Sequence, residues 1–288
     1  MPDFGPFIVA GASLGSAYAL SGVGIVVLFR ATGTLNLAHG ALGAVSALVA
    51  WELEEQRGWP IGAAIGIGVS CAIALAWLYS ILVARRLLDE PPIVQASATL
   101  GLLLAALGSL NWYWPDIPRR LRLPSDNWAF EVIGIRVTGT RLLVLLLTLA
   151  ITATVATVLA RTRLGLHMRA LADNRSVSTQ IGIPVNSTTT AAWLMAGFIA
   201  GLSGILLGNL SRLDGPSLTF FVIPALAAAV AGRLTSLGIT LIAGVSMGLI
   251  ESLATPIDAI SDYRTVAPYL VGLLAVFWFA RNPERSFG

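Results

Sequence analysis

Lysine is missing from this chain: every one of its 18 basic residues is arginine. A Walker A loop depends on a lysine that reaches the nucleotide phosphates, so the chain carries none. A retinal or pyridoxal Schiff base is excluded for the same reason. Cysteine is reduced to Cys71. One thiol makes no intramolecular disulfide and no cysteine-based zinc site, and within its apolar run Cys71 reads as a small buried hydrophobe. Charge of either sign is scarce, 11% of 288 residues, where a soluble domain carries about 25%.

What fills the chain instead is apolar surface: 56% hydrophobic residues and a mean hydropathy of +0.80. A soluble core cannot absorb that much, whereas lipid tails are as apolar as leucine. The chain therefore reads as one polytopic domain over residues 1–288, an all-α transmembrane bundle. A pI near 9.5 does not point to nucleic acid, because the arginines sit between apolar runs in the membrane pattern. The first six residues carry Asp3 and no base. That is unlike the basic n-region of a signal peptide, so the run that follows reads as a retained first span.

About 20 apolar residues cross the hydrocarbon. Nine candidates meet or approach this: 7–29, 34–51, 61–83, 93–113, 141–160, 189–210, 217–232, 236–256 and 265–280. The second and seventh are short and interrupted, so the expected count is eight to nine, with one half-helix or re-entrant segment. Arg85 and Arg86, then Arg161, Arg163, Arg169 and Arg175, then Arg233, then Arg281 and Arg285 all fall on one side by alternation. The positive-inside rule makes that side cytoplasmic. The N-terminus is then outside and the C-terminus inside, in a plasma or inner membrane. Glu52, Glu54 and Glu55 outweigh Arg57 on the opposite side, as Asp258 and Asp262 outweigh Arg264. The 114–140 loop is the misfit, with Arg119, Arg120 and Arg122 on the expected exterior.

Five GxxxG pairs, at Gly11/Gly15, Gly62/Gly66, Gly197/Gly201, Gly204/Gly208 and Gly244/Gly248, predict close helix crossings. Two connections are long. The 114–140 segment, with Trp112, Trp114 and Trp128 around it, reads as an external cap. The 161–188 segment is internal and basic. Leu166, Ala170 and Leu171 form one face of a first helix, and Asp173 caps a second, short helix that runs to about Ile181 before Gly182 and Pro184 stop it. A helix on the cytoplasmic face is a docking surface for a soluble partner.

Three features exceed a generic bundle. Asn36 and His39, three residues apart where the first span gives way to the second, share a helix face on the helical reading. They either cap and bond the turn or line a solute path. His39 has no second histidine or cysteine near it, so a metal is not expected. The basic 161–188 loop is the second feature. The third is the 217–256 run, where Gly232 and Arg233 make a tight turn and Glu251 stands inside an apolar stretch. Glu251 is either a headgroup-level acid or a cavity residue.

The stretches TGTLNLAHGALG, RALADNRSVSTQIGIP and RLTSLGITLIAGVSMGLIES resemble, in order and spacing, those of the branched-chain amino acid ABC permease family of the LivH type. The likeness covers nearly the whole chain. Leu37 replaces the family's usual Phe, Ala41 stands where Glu is frequent, and Arg175 replaces an acid common in the internal loop. The resemblance implies a non-catalytic membrane subunit with no cofactor of its own. Its partners would be a second, LivM-like permease subunit, two cytoplasmic ATPases that bind ATP and Mg²⁺, and an extracytoplasmic solute-binding protein. It implies that residues 170–183 dock on the ATPase. Arg169, Ala170, Asp173, Arg175, Val177, Gln180 and Gly182 are then the coupling candidates, and Asn36, His39 and Glu251 the pathway candidates. Branched-chain amino acids, amides, urea or small organic acids all suit an apolar path. An ion-coupled secondary transporter is the alternative. It would carry several intramembrane ionisable groups, where only Glu251 qualifies. An intramembrane enzyme would need a catalytic constellation that His39 does not make.

Overall fold

A computed structural model describes residues 4–115, 119–132, 135–257 and, singly, 261, 266, 269, 270 and 274. The expected ninth span at 265–280 and the charges around it lie outside these apart from those single positions. The described chain runs through helices α1 (Gly5–Thr32), α2 (His39–Trp51), α3 (Ile61–Leu82) and α4 (Pro92–Tyr113). Strands β1 (Ala129–Val132) and β2 (Ile135–Thr138) follow, then α5 (Gly139–Arg161), α6 (Arg163–Asp173) and α7 (Arg175–Gln180). The last elements are α8 (Val185–Leu210), α9 (Gly215–Phe220), α10 (Val222–Ala231) and α11 (Leu237–Ala254).

Among the described residues, six helices are long and apolar enough to cross a bilayer: α1, α3, α4, α5, α8 and α11. Helices suit this environment because every backbone group is satisfied within the segment. The two weak spans differ in kind. α2 has 13 residues and gains length by running on into a π-helical turn, Glu52–Gln56. The 217–232 run is broken at Phe221 into α9 and α10. Asp214 starts α9 by accepting from Ser217 N at 2.7 Å, ahead of Pro216, which suits a first turn. One departure from the all-α reading lies in the 114–140 loop. There β1 and β2 pair antiparallel, Ala129 opposite Thr138, because this loop leaves the apolar pattern that holds the rest helical.

Two compact units result. One comprises residues 1–23, 122–152 and 223–288, the other 24–121 and 153–222, so α1 and α5 run through both. In the first unit α1 crosses α11 glycine on glycine. A β-carbon on Gly15 would stand 2.6 Å from Val245 O, and one on Gly11 2.7 Å from Gly248 O. In the second unit α8 lies against α2 and α3: Gly197 meets Ala72 and Ala76, and Gly204 meets Gly43. Four of the five GxxxG pairs are thus in close contact. Gly62 and Gly66 on α3 have nothing within 4 Å among the described residues.

Candidate functional site

The connection between α1 and α2 carries Asn36 and His39 and belongs wholly to the second unit. Asn36 is not helical. It precedes α2, which begins at His39, and its Oδ1 accepts from Ala38 N at 3.0 Å. A side chain that bonds its own backbone two residues on competes with the helix at that point, so the expected shared helix face is replaced by a turn. His39 opens α2 fully buried, and Asn36 is buried beside it in sequence. Asn36 Nδ2 and both His39 ring nitrogens lack a protein partner among the described residues. The ring lies against α1 and α8: a β-carbon on Gly24 would come 2.9 Å from His39 Nε2 and 3.0 Å from Ile199. Gly40 packs directly on the backbone of Thr219. Leaving buried polar groups unpaired costs about 1–3 kcal/mol each, and such groups mark positions held for more than packing.

Two side chains of α4 hold this connection. Thr99 Oγ1 accepts from Leu37 N at 3.1 Å and lies within donating distance of Leu35 O, also at 3.1 Å. Thr34 Oγ1 donates to Gln95 Oε1, while Gln95 Nε2 donates to Glu90 O at 2.8 Å. Sequence reading passed over Gln95 and Thr99. Their signal was available: two polar residues four apart on an apolar span share a face.

The 161–188 segment folds as two helices. Thr162 caps α6, accepting from Gly165 N at 3.3 Å, and Asn174 caps α7, accepting from Val177 N at 3.1 Å. The boundary between the two helices falls one residue later than expected: Asp173 ends α6 instead of capping the second helix, and Asn174 takes that place. The buried face of α6 is Gly165, Met168 and Leu171, with Leu166 turned outward. Arg169 donates to Leu159 O at the end of α5. Ala170 is half-buried, while Asp173, Gln180 and Gly182 are exposed. Gly182 stops the segment at φ +83°, a conformation that glycine adopts without strain. Leu166, Val177 and Ile181 are exposed apolar side chains.

Arg175 reaches back to Asp89 at 4.0 Å. The two line a polar cleft of about 930 Å³ that also includes Gln180, Arg85, Thr32 and Gln95. The cleft brings the α6–α7 segment to the residues that hold the Asn36 turn. It does not bring in Glu251. That residue lies in the first unit, where its Oε2 accepts from Tyr18 OH at 3.1 Å.

A second cleft, of about 650 Å³, runs beside α2 from Ala41 and Leu102 to Glu52, Arg57 and Trp114. Its walls are mostly aliphatic, with Trp112, Tyr113 and Trp114 at one end. At its charged end Arg57 stands 3.6 Å from Glu52, and Trp114 Nε1 donates to Glu52 at 3.3 Å. The pairing depends on the π-helical turn, whose ring closes over five residues, the interval between Glu52 and Arg57.

Six membrane-length helices among the described residues, close glycine crossings and a buried polar turn in the second unit define a multi-pass helical membrane protein. The profile of the family described as branched-chain amino acid transport system / permease component matches residues 7–277, and the chain belongs to that family. The high-affinity branched-chain amino acid transport system permease protein LivH of Escherichia coli (strain K12) is 24% identical over 285 residues, 92% of this chain and 90% of LivH. The corresponding BraD of Pseudomonas aeruginosa is 25% identical over 284 residues, covering 93% and 90%. A probable LivH of Methanocaldococcus jannaschii is 25% identical over 242 residues, covering 82% and 76%. The solved structure of PsaBC from Streptococcus pneumoniae in complex with Fab aligns with a TM-score of 0.47 at 12% identity, over 94% of this chain and 89% of that one.

Proposed function

We propose that this chain is one of two transmembrane subunits of an ABC importer. In this reading a binding protein supplies a branched-chain amino acid and separate ATPases, which bind ATP and Mg²⁺, drive uptake. The arginine distribution sets the N-terminus outside and the C-terminus in the cytoplasm, with eight to nine spans. The observation that carries the reading is the α6–α7 segment. It is basic, capped at both helix starts, and exposes Leu166, Val177 and Ile181 where a loop would otherwise be polar. Exposed apolar side chains rimmed by charge mark an interaction surface, and short helices set in a partner's groove bind through such anchors.

In this role Arg169, Ala170 and Asp173 belong to the end of α6 and Arg175, Val177 and Gln180 to α7, with Gly182 fixing the exit. Arg175 and Gln180 share the polar cleft with Thr32 and Gln95, so a push on α7 reaches the Asn36–His39 turn through contiguous side chains. Asn36 and His39 then border the pathway that the push opens, and Glu251 holds α11 to Tyr18 within the first unit.

The test uses the single-cysteine variant Cys71→Ser with Val177→Cys. Crosslinking is expected to reach the ATPase, with labelling only from the cytoplasmic side. Asn174→Ala removes a cap worth about 0.5–2 kcal/mol and should reduce copurification of the ATPase at unchanged membrane abundance. Labelling only from outside overturns the topology and the role together.

A further inference from the structure

We infer that the charged end of the apolar cleft is a recognition site for a zwitterionic amino acid with an apolar side chain. Arg57 takes its α-carboxylate, Glu52 its α-ammonium, and the α2–α4 wall its side chain. The inference rests on the permease reading above and adds the place where the solute meets this subunit. It starts from the π-helical turn Glu52–Gln56, a rare geometry found frequently at functional sites. On this turn an acid and a base of the same chain face each other across 3.6 Å, with side-chain exposures of 21% for Glu52 and 55% for Arg57. A pair that loose and that wet is weakly held, so separating it around a ligand costs little. Trp114 fixes Glu52 through the indole hydrogen bond, which presents the carboxylate in one orientation. A guanidinium meets a carboxylate through two parallel donors.

Below this end the cleft offers no further polar partner. Val45, Val49 and Leu110 line it. Of the two hydroxyl-bearing residues on its wall, Ser109 already donates to Ala105 O at 2.8 Å, and Tyr113 stands with Trp112 and Trp114 at the C-terminal end of α4. A side chain carrying its own donors or acceptors would be desolvated there without compensation, whereas an isobutyl or sec-butyl group gains by burial. The volume, about 650 Å³, lies within the range of small-molecule sites. Amino acid and zwitterionic lipid share the ammonium–anion pair. The enclosure of Glu52 behind Trp114 and the permease membership favour the amino acid.

The experiment is photolabelling of the full chain in phosphatidylglycerol nanodiscs with the diazirine analogue of leucine. Labelling should map to the α2 and α4 walls, fall with excess L-leucine, and resist isovalerate and isopentylamine, each of which carries half the zwitterion. Glu52→Gln and Arg57→Gln should each reduce it about tenfold, the value of one lost charge-assisted hydrogen bond. Arg57→Lys should retain part of it, with monodispersity confirming that each variant is folded. Three results overturn the inference: no cleft labelling, labelling that isovalerate displaces as well as leucine does, or labelling indifferent to both Gln variants. Loss of labelling in phosphatidylethanolamine discs, without competition by leucine, assigns the cleft to lipid and overturns it too. Copurification of the ATPase with Arg57→Gln reads the permease assignment separately.

Discussion

Replacing Gly15 by alanine tests whether backbone contact holds α1 to α11. The added carbon would lie 2.6 Å from Val245 O and 2.7 Å from both Gly244 O and Val245 Cα, where ordinary contact begins at 3.4 Å. All three neighbours are main-chain atoms, so no rotamer change relieves the overlap. The helices must part by about 0.8 Å (3.4 Å less 2.6 Å) at this crossing. A gap of that size forfeits a quarter to a half of each dispersion contact nearby. Inside a bilayer such packing drives helix association without a hydrophobic contribution to replace it. Overpacking of this kind costs about 1–3 kcal/mol, offset in part by alanine's helix propensity, at most about 1 kcal/mol. A net loss of about 1–2 kcal/mol is expected. Unfolding in lipid discs by a titrated denaturing detergent, followed through the chain's tryptophans, measures it. Gly66→Ala is the matched control: nothing lies within 4 Å of Gly66 among the described residues, so the isolated subunit should be no less stable. Equal losses at both positions, or none at Gly15, would refute the reasoning.

Thr99→Val keeps shape but leaves Leu37 N–H without its hydroxyl acceptor. A loss of about 1–3 kcal/mol is expected, largely restored by Thr99→Ser and read by the same detergent titration. Tyr18→Phe removes the hydroxyl that Glu251 accepts. An interhelical bond in a membrane is worth about 0.6 kcal/mol and at most about 1.7, so a small loss is expected, with Glu251→Gln losing less because it still accepts. A larger effect of Glu251→Gln on uptake than on stability would mark Glu251 as a pathway residue.

The long spans were legible because an apolar run of this length has one backbone solution in lipid. The glycine pairs were legible as crossings, though which pairs would meet was not. Local competition hid the rest. Asn36 sits at helical spacing from His39, yet its carboxamide bonds Ala38 N and delays the helix. Asp173 and Asn174 are adjacent and both are good caps. Burial of Met168 and Leu171 carries α6 on through Asp173, so the cap falls to Asn174. The same burial turns Leu166 outward. Gln95 and Thr99 were visible as polar residues on one face, but only the fold shows that this face meets the Asn36 turn. Glu52 and Arg57 diverge on an α-helix and converge on a π turn, a distinction that composition and periodicity do not carry.

Within one unit, the apolar cleft beside α2 leads back to the Asn36–His39 turn, and the residues that hold that turn lead to the polar cleft. The aliphatic cleft ends at Ala41, two residues past His39. The turn before His39 is bonded to Gln95 and Thr99, and Gln95 lines the polar cleft with Arg175 and Gln180. α2 itself has little room to deform, because Gly40 rests on Thr219 backbone and Gly43 on Gly204. Close-packed helices have a few discrete arrangements and do not bend continuously. Under the proposed coupling, displacement of α7 is then taken up at the turn. There Asn36 Nδ2 and both His39 ring nitrogens are buried without protein partners among the described residues, so a rearrangement that pairs them with solute or water meets less opposition than one that opens the glycine contacts. A buried polar pair would be a defect in a passive anchor. On the proposed reading, in which the turn joins a solute cleft to a docking loop, those unpaired atoms make it the element that yields first.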